Sequence, residues 1–215
     1  MNPVLLRLMV LLIGYLCGSF LAGHFMGKLF HFDLTKMGSG NVGATNALRS
    51  LGLKHALLIF FLDALKAFLP VFIVGQVIKA DSFRFIYMIY TALGVILGND
   101  YPFYLKFKGG KGVAATSGWG LAMNPLIWAL SMALFFALAF ATRYVALASI
   151  IATLFSTGMF IFFAASGRTP VPEGAMTEFV LILVLIELLL IFAHRENIRR
   201  LLQGKENRFG SKKKG

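Results

Sequence analysis

The stretch VAATSGWGLAMNPLIWALSMALFFALAFA, residues 113–141, decides how often the chain crosses a membrane. A helical span needs about 20 apolar residues, so this stretch is long for one span and short for two. Asn124-Pro125 interrupts it. Proline removes a backbone donor and disfavours helix at the residue before it. We therefore predict a turn at Asn124-Pro125, preceded by a short helix from Val113 to Met123.

The rest of the chain is similarly apolar. Of its 215 residues, 58% are hydrophobic and 14% are charged, too few polar residues to cover a soluble domain. In hydrocarbon such runs must be helices, because every backbone N–H and C=O has to be paired internally. The sequence predicts an all-α integral membrane protein whose apolar runs cover residues 5–25, 56–77, 85–98, 113–141, 145–165 and 178–192. The first run is too long for a signal peptide and is interpreted as a retained span.

The distribution of basic residues distinguishes a seven-span topology from a six-span one. With a turn at Asn124-Pro125, the chain has seven spans, and 16 of its 21 Lys and Arg residues lie on one side. The positive-inside rule then predicts an outside N-terminus and a cytoplasmic C-terminus. The net charge of +12 is spread between and after the apolar runs, which argues against nucleic-acid binding. We predict one membrane domain over residues 1–205 and a frayed basic tail over 206–215, attracted to anionic headgroups.

The first polar motif, GSGNVGATNALR, covers residues 38–49. Glycines let backbone N–H groups approach an anion closely, and Arg49 offers a fork to phosphate oxygens. The predicted phosphate-binding residues here are Gly38, Gly40, Asn41, Gly43, Thr45 and Asn46, with Ser39 beside them. The match to GxGxxG is not a dinucleotide fingerprint, because an apolar helix and not a strand precedes it. The alternative is a flexible loop between helices.

The second motif, KFKGGKG, covers residues 106–112 and resembles half of a Walker A loop. It fails as one, since Gly112 stands where Ser or Thr must hold magnesium. What remains is Lys111 between glycines at the start of an apolar helix, where unpaired N–H groups favour an anion. Gly109, Gly110 and Gly112 join the predicted phosphate-binding set. The alternative is a positively charged anchor loop.

The third motif, HRENIRRLLQG, follows the last apolar run at residues 194–204. On a helix His194, Asn197 and Leu201 share one face, while the arginines reach headgroups. By spacing alone, an amphipathic helix at the membrane surface is the usual interpretation.

Charges inside the apolar runs are few. Asp63 and Lys66, three residues apart, predict a structural ion pair, and Glu187 has no partner evident by sequence. Cys17 is the only cysteine, so neither an intramolecular disulfide nor a thiolate metal site is possible. We predict no metal and no cofactor.

Together the three motifs resemble those of the bacterial acyl-phosphate:glycerol-3-phosphate acyltransferases, the PlsY family, in order and spacing over essentially the whole chain. The resemblance implies a bacterial inner-membrane enzyme with its active site on the cytoplasmic face. It would transfer a fatty acyl group from acyl phosphate to the 1-hydroxyl of glycerol 3-phosphate, giving lysophosphatidic acid and phosphate. The catalytic residues implied are Ser39, Arg49, Lys111, His194 and Asn197. Two positions depart from the family pattern: Asn99 stands where the family often has His, and Ala67 where it has Gly.

The physical interpretation agrees with this chemistry, because two phosphates require a cationic pocket and an acyl chain requires an apolar groove. No histidine has Asp five positions on, which excludes the His-x-x-x-x-Asp mechanism of other glycerolipid acyltransferases. We hypothesise that the phosphate of glycerol 3-phosphate takes the proton from its own hydroxyl, with Ser39 and His194 orienting it. The competing function is a transporter or channel for a phosphorylated metabolite, which should show a repeated half and a polar pathway. A scaffold protein would not explain three polar motifs on one face. Acceptance of acyl-CoA or acyl carrier protein donors, and docking onto the soluble enzyme that makes acyl phosphate, stay open.

Overall fold

The computed structural model describes residues 2–208, and within them the chain forms helices and no strand. The described part contains α1 (Pro3–Ser19), α2 (Ala22–Leu29), α3 (Ala44–Leu51), α4 (Leu53–Val77), α5 (Arg84–Asp100), α6 (Val113–Met123), α7 (Pro125–Thr142), α8 (Val145–Ala165), α9 (Met176–Ala193) and α10 (Arg195–Leu202). The all-helical prediction is confirmed. Most of the predicted tail, residues 209–215, lies outside the described residues.

The predicted turn at Asn124 is present. The Asn124 side chain caps α7 by accepting from the N–H groups of Leu126 and Ile127 at 3.0 and 3.1 Å. Trp128 Nε1 then donates to Ser117 Oγ at 2.9 Å, so α7 folds back along α6 as a helical hairpin. The first arm has 11 residues, or about 16 Å at the α-helical rise.

The predicted span over residues 5–25 lies within the segment Pro3–Leu29, which is long and apolar enough to cross a membrane. It is not one continuous helix, because the chain extends at Phe20 and Leu21 between α1 and α2. A buried ion pair on α4, Asp63 with Lys66 at 2.7 Å, satisfies the backbone groups that this break releases. Lys66 Nζ donates to the Phe20 carbonyl at 2.6 Å, and Asp63 accepts from the Ala22 N–H at 3.3 Å. The predicted i,i+3 ion pair is thus confirmed, and it also stabilises the break between α1 and α2.

Helices α1 and α5 approach closely through glycines spaced four apart, Gly14 and Gly18 on one and Gly94 and Gly98 on the other. A Cβ at Gly94 would lie 2.1 Å from the Leu11 carbonyl oxygen, and one at Gly18 would lie 2.1 Å from that of Val95. Small residues at this spacing let two membrane helices pack backbone to backbone. Helix α5 also contacts α4, α6 and α9, and it therefore lies in the centre of the bundle.

Several helical segments are long and apolar enough to cross a membrane, including the pair α1–α2 taken together. Among the described residues these segments are Pro3–Leu29, Leu53–Val77, Pro125–Thr142, Val145–Ala165 and Glu173–Ala193. Helix α5, with 17 residues, is largely buried by its neighbours. The chain therefore has the architecture of an integral membrane protein.

Polar contacts mark the two ends of the bundle. At one end, Arg7 near the start of α1 forms a two-pronged ion pair with Glu178 at 2.6 and 2.9 Å, and Tyr90 of α5 donates to the same carboxylate at 2.8 Å. Within the bundle, Glu187 accepts from Thr153 and Thr157 at 3.1 and 3.3 Å, which supplies the partners that the sequence did not reveal. The ends of α5 and α9 meet the starts of α4, α6 and α8 at the other end.

Candidate active site

A cavity of about 450 Å³ opens at this second end of the bundle. Segments far apart in the sequence supply its polar wall: the first motif, the glycine-rich loop before α6, and the start of α10. All five residues that the resemblance implies as catalytic line this cavity: Ser39, Arg49, Lys111, His194 and Asn197. One ligand can therefore contact all three motifs.

Asn46 organises the first motif. This buried side chain lies with Nδ2 3.1, 2.9 and 2.8 Å from the carbonyl oxygens of Leu34, Met37 and Asn41, and its Oδ1 accepts from the Ser39 N–H at 2.8 Å. The motif contains helix α3, where the sequence suggested only a loop. Since protein groups engage both ends of the amide, Asn46 holds the loop in shape. Its predicted contact with phosphate stays a prediction.

Two uncapped helix N-termini face the cavity. Helix α3 begins after Gly43 and helix α6 after Gly112, and no side chain within residues 2–208 hydrogen-bonds to the first amides of either helix. Gly112 has a φ of +74°, a conformation that favours glycine. Gly43, Thr45, Gly112, Val113 and Ala114 all line the cavity. Unpaired N–H groups and the positive end of the helix dipole make such termini suited to anions.

The glycines before Lys111 fit the loop against the end of α5. Gly109 N–H donates to the Asp100 carbonyl at 3.0 Å and Gly110 N–H to the Asn99 carbonyl at 2.8 Å. A Cβ at Gly109 would lie only 2.1 Å from the backbone carbonyl oxygen of Asn99. Asn99 is itself held by Lys66, whose Nζ donates to its Oδ1 at 2.8 Å. These two glycines thus permit close packing, and their amides are occupied by protein carbonyls.

Lys111 is held by the third motif. Its Nζ donates to Asn197 Oδ1, and Asn197 Nδ2 in turn donates to Glu206 Oε1 at 3.0 Å. Arg200 Nε donates to the other carboxylate oxygen of Glu206 at 2.8 Å. Burial, followed by repulsion from Arg200, lowers the pKa of Lys111 to about 8. The ammonium therefore sits in a site where an added anion relieves electrostatic repulsion.

His194 is buried between α9 and α10, with 3% of its surface exposed. Its Nδ1 lies 2.9 Å from the Leu190 carbonyl oxygen. A carbonyl only accepts, so Nδ1 carries the proton. Burial lowers the pKa of His194 to about 4, so the ring is neutral near pH 7 and Nε2 is an acceptor. No carboxylate in residues 2–208 hydrogen-bonds to Nδ1, which distinguishes this residue from the histidine of a catalytic triad.

The remaining predicted residues divide into two groups. Asn41, Gly43, Thr45, Asn46, Gly110 and Gly112 line the cavity, whereas Gly38, Gly40 and Gly109 do not. Gly38 and Gly40 adopt φ values of +55° and +74°, and so serve the turn of the loop. The cavity is also lined by Asp63, Asn99 and Glu206, which were not among the predicted site residues.

Glu206 departs from the predicted frayed tail over residues 206–215, of which the structure describes 206–208. The relative solvent exposure of Glu206 is 6%, whereas its neighbours Lys205 and Asn207 are exposed. The carbonyl of Asn207 accepts from Arg49 at 3.3 Å, and Arg208 Nε donates to the Tyr144 hydroxyl at 3.1 Å. Glu206 therefore belongs to the cavity wall, and Asn207 and Arg208 fasten the chain to Arg49 and Tyr144 beside it. A lone acid in a basic segment was the one feature of the sequence that could have indicated this.

The other half of the cavity is apolar and opens sideways. Leu53 and Leu57 on α4 and Phe136 and Phe140 on α7 line it, and each is more than half exposed on the outer surface of the bundle. Lys111 lines this same cavity together with the aromatic side chains of α7, Phe135, Phe136 and Phe140.

Known proteins share this architecture. The family model for glycerol-3-phosphate acyltransferase matches residues 8–204. The chain belongs to the glycerol-3-phosphate acyltransferase family. The family member from Aquifex aeolicus (strain VF5) is 41% identical over 202 residues, covering 94% of this chain and 98% of its own. The member from Mycoplasmopsis synoviae (strain 53) is 36% identical over 218 residues, covering 98% and 97%.

Solved structures of the acyltransferase family agree with the fold. The crystal structure of PlsY (YgiH), an integral membrane glycerol 3-phosphate acyltransferase, superposes in its glycerol 3-phosphate form with a TM-score of 0.82. That chain is 40% identical, with 95% of this chain and 96% of that one covered. Its lysophosphatidic acid form gives a TM-score of 0.80 at 39% identity, with 95% of each chain covered. Fold and family thus agree with the resemblance drawn from the three motifs.

Proposed function

We propose that this chain transfers a fatty acyl group from acyl phosphate to the 1-hydroxyl of glycerol 3-phosphate, releasing lysophosphatidic acid and inorganic phosphate. The observation that carries the proposal is one cavity with a cationic end, built around Arg49 and Lys111, and an apolar end open to the side. A ligand that uses both ends must have a phosphate and a lipid chain. Acyl phosphate and lysophosphatidic acid have this form, and glycerol 3-phosphate fits the polar end alone.

The reaction needs little beyond positioning and charge stabilisation. The hydroxyl oxygen attacks the acyl carbon, the new ester C–O bond forms, and the bond between that carbon and the phosphate oxygen breaks. Acyl phosphate is a mixed anhydride with a good leaving group, so Lys111, Arg49 and the N-terminal amides of α6 lower the barrier by holding the phosphate charges. Metal or cofactor chemistry is not required by these steps.

The hydroxyl proton goes to the phosphate of glycerol 3-phosphate itself. Neutral His194 offers Nε2 as an acceptor that orients the hydroxyl, and Ser39 supports the same geometry from the first motif. A pKa of about 4 makes His194 a weak base near pH 7, which favours an orienting role. Its Nδ1 partner is a backbone carbonyl, which fixes the ring without adding a charge.

The finer topology is part of this proposal: seven spans in the bacterial inner membrane, with α5 and the α6–α7 hairpin added to the longer helices. The site end of the bundle carries Arg49, Lys111 and the arginines of α10, and the positive-inside rule assigns that end to the cytoplasm. The cavity would then receive glycerol 3-phosphate from the cytoplasm and acyl phosphate from the inner leaflet.

A direct assay tests the reaction. Purified protein is incubated with glycerol 3-phosphate and either acyl phosphate or acyl-CoA, and lysophosphatidic acid is measured by mass spectrometry. We expect product with acyl phosphate, with release of one inorganic phosphate per ester formed. Product from acyl-CoA alone would overturn the donor assignment but not the acyltransferase activity, and no product from either donor would overturn both.

A further inference from the structure

The segment that follows α10 returns to the cavity and brings an acid into it. Gly204 takes a φ of +66°, and the N–H groups of Gly204 and Lys205 donate to the carbonyls of Leu201 and Arg200 at 3.0 and 2.8 Å. This reversal of the chain directs Glu206 inward, and its side chain is 1% exposed. A carboxylate this deeply buried needs partners for both oxygens.

Those partners connect Glu206 to the residue that holds Lys111. Oε1 accepts from Asn197 Nδ2 at 3.0 Å, and Oε2 accepts from Arg200 Nε at 2.8 Å. A carboxylate only accepts and an ammonium only donates. The Asn197 amide between them therefore has one favourable orientation, with Nδ2 toward Glu206 and Oδ1 toward Lys111.

The charge of Glu206 also matters, since cations from several elements face Lys111. Arg49 of α3 and Arg195 and Arg200 of α10 repel its ammonium, while Glu206 attracts it. His194, the nearby titratable group on the segment between α9 and α10, is neutral near pH 7 and adds no opposing charge. Without a buried anion, three arginines would act on Lys111 uncompensated.

We propose that Glu206 is a positioning residue of this acyltransferase, orienting the Asn197 amide and thereby holding the Lys111 ammonium where the substrate phosphate binds. The inference rests on the proposed function, because it acts through residues assigned to the phosphates. The competing explanation is that the carboxylate only fastens the chain after α10 and has no effect on the chemistry.

The test uses Glu206→Gln, which keeps the size and one acceptor oxygen but removes the charge. Glu196→Gln is the matched control, since Glu196 is an exposed acid on α10, the helix that precedes Glu206. Both variants are assayed for lysophosphatidic acid formation over pH 6–10, and folding is checked by thermal melting and gel filtration in detergent. We expect Glu206→Gln to lower kcat/KM about tenfold, the effect of one charge-assisted hydrogen bond. We also expect the loss of activity at high pH to begin at a lower pH, because Lys111 then loses its proton more readily.

Glu196→Gln should behave as wild type in every measurement. A folded Glu206→Gln protein with wild-type kcat/KM and an unshifted pH profile would overturn the inference. Failure of both Glu206→Gln and Glu206→Asp to fold would also overturn it, in favour of a purely structural carboxylate. Failure of the proposed function is distinguishable, since the wild-type protein would then form no lysophosphatidic acid.

Discussion

Replacing Lys111 by methionine removes the ammonium while keeping a chain of similar length. The N-terminus of α6 and Arg49 remain, so the loss is one cation at the leaving phosphate. Removing one group that stabilises developing charge typically costs about 3–4 kcal/mol, or roughly a hundredfold to a thousandfold in rate. We expect Lys111→Met to lower kcat by that factor in the mass-spectrometric assay. A variant retaining half of the wild-type rate would refute the assignment.

The pH profile gives an independent test of Lys111. Its pKa of about 8 lies below the ordinary lysine value. The catalytic ammonium is therefore present below pH 8 and lost as pH rises through that value, so kcat/KM should fall about tenfold per pH unit above it. Lys111→Arg keeps a cation at every pH and should abolish this decline, even if its activity is lower. The same decline in Lys111→Arg would assign it to another group.

The lowered pKa of Lys111 also predicts that Lys111→Met loses activity without losing stability. The folded state binds the Lys111 proton less tightly than the unfolded chain does, so the burial of this ammonium opposes folding below pH 8, and the opposition disappears as the pH rises. Removing the charge should therefore not lower the melting temperature at pH 7. A large drop in melting temperature for Lys111→Met would contradict this account.

Three further predictions concern separate parts of the molecule. Arg49→Lys should lower kcat/KM about tenfold in the same assay, because the planar fork is lost although the charge is kept, and near-normal activity would count against a two-pronged phosphate contact. His194→Asn should reduce the rate but leave the shape of the pH profile unchanged between pH 5.5 and 8, whereas a lost limb would identify His194 as the base. Gly94→Ala should destabilise the bundle by about 1–3 kcal/mol in thermal melts, since its Cβ would strike the Leu11 carbonyl. Gly158→Ala, a helical glycine with open space around it, is the matched control and should not destabilise.

The sequence predicted the helices well where hydrophobic pattern alone decides them. The run 145–165 matches α8, and the turn at Asn124-Pro125 follows from the chemistry of proline and of an N-capping Asn. The break at Phe20-Leu21 was not predictable in this way. It depends on Asp63 and Lys66, which are distant in sequence and compensate the unpaired backbone groups only in the folded bundle.

In the candidate site, too, features set by local sequence were predicted and features set by distant contacts were not. Motif chemistry predicted Arg49 and Lys111 as anion-binding residues, because cations close to glycine-rich loops are unusual in apolar sequences, and the family resemblance added His194. It did not separate glycines that line the cavity from Gly109, whose purpose is close packing against Asn99. It also missed Glu206, because only a chain reversal at Gly204 brings that acid beside Asn197. Contacts between distant segments carry this information, and local patterns do not.

Substrate-protected cysteine labelling shows whether the three motifs form one phosphate-binding cavity on the cytoplasmic face. Single cysteines at Ala114 and Asn207, in a chain with Cys17 replaced by Ala, are treated with an impermeant maleimide in inverted and right-side-out vesicles. Exposed Lys79, at the other end of the bundle, is the control position. We predict that the first two cysteines label only in inverted vesicles and that glycerol 3-phosphate protects both, whereas the third labels only in right-side-out vesicles. Labelling of positions 114 and 207 from opposite sides, or protection of neither, would contradict the account.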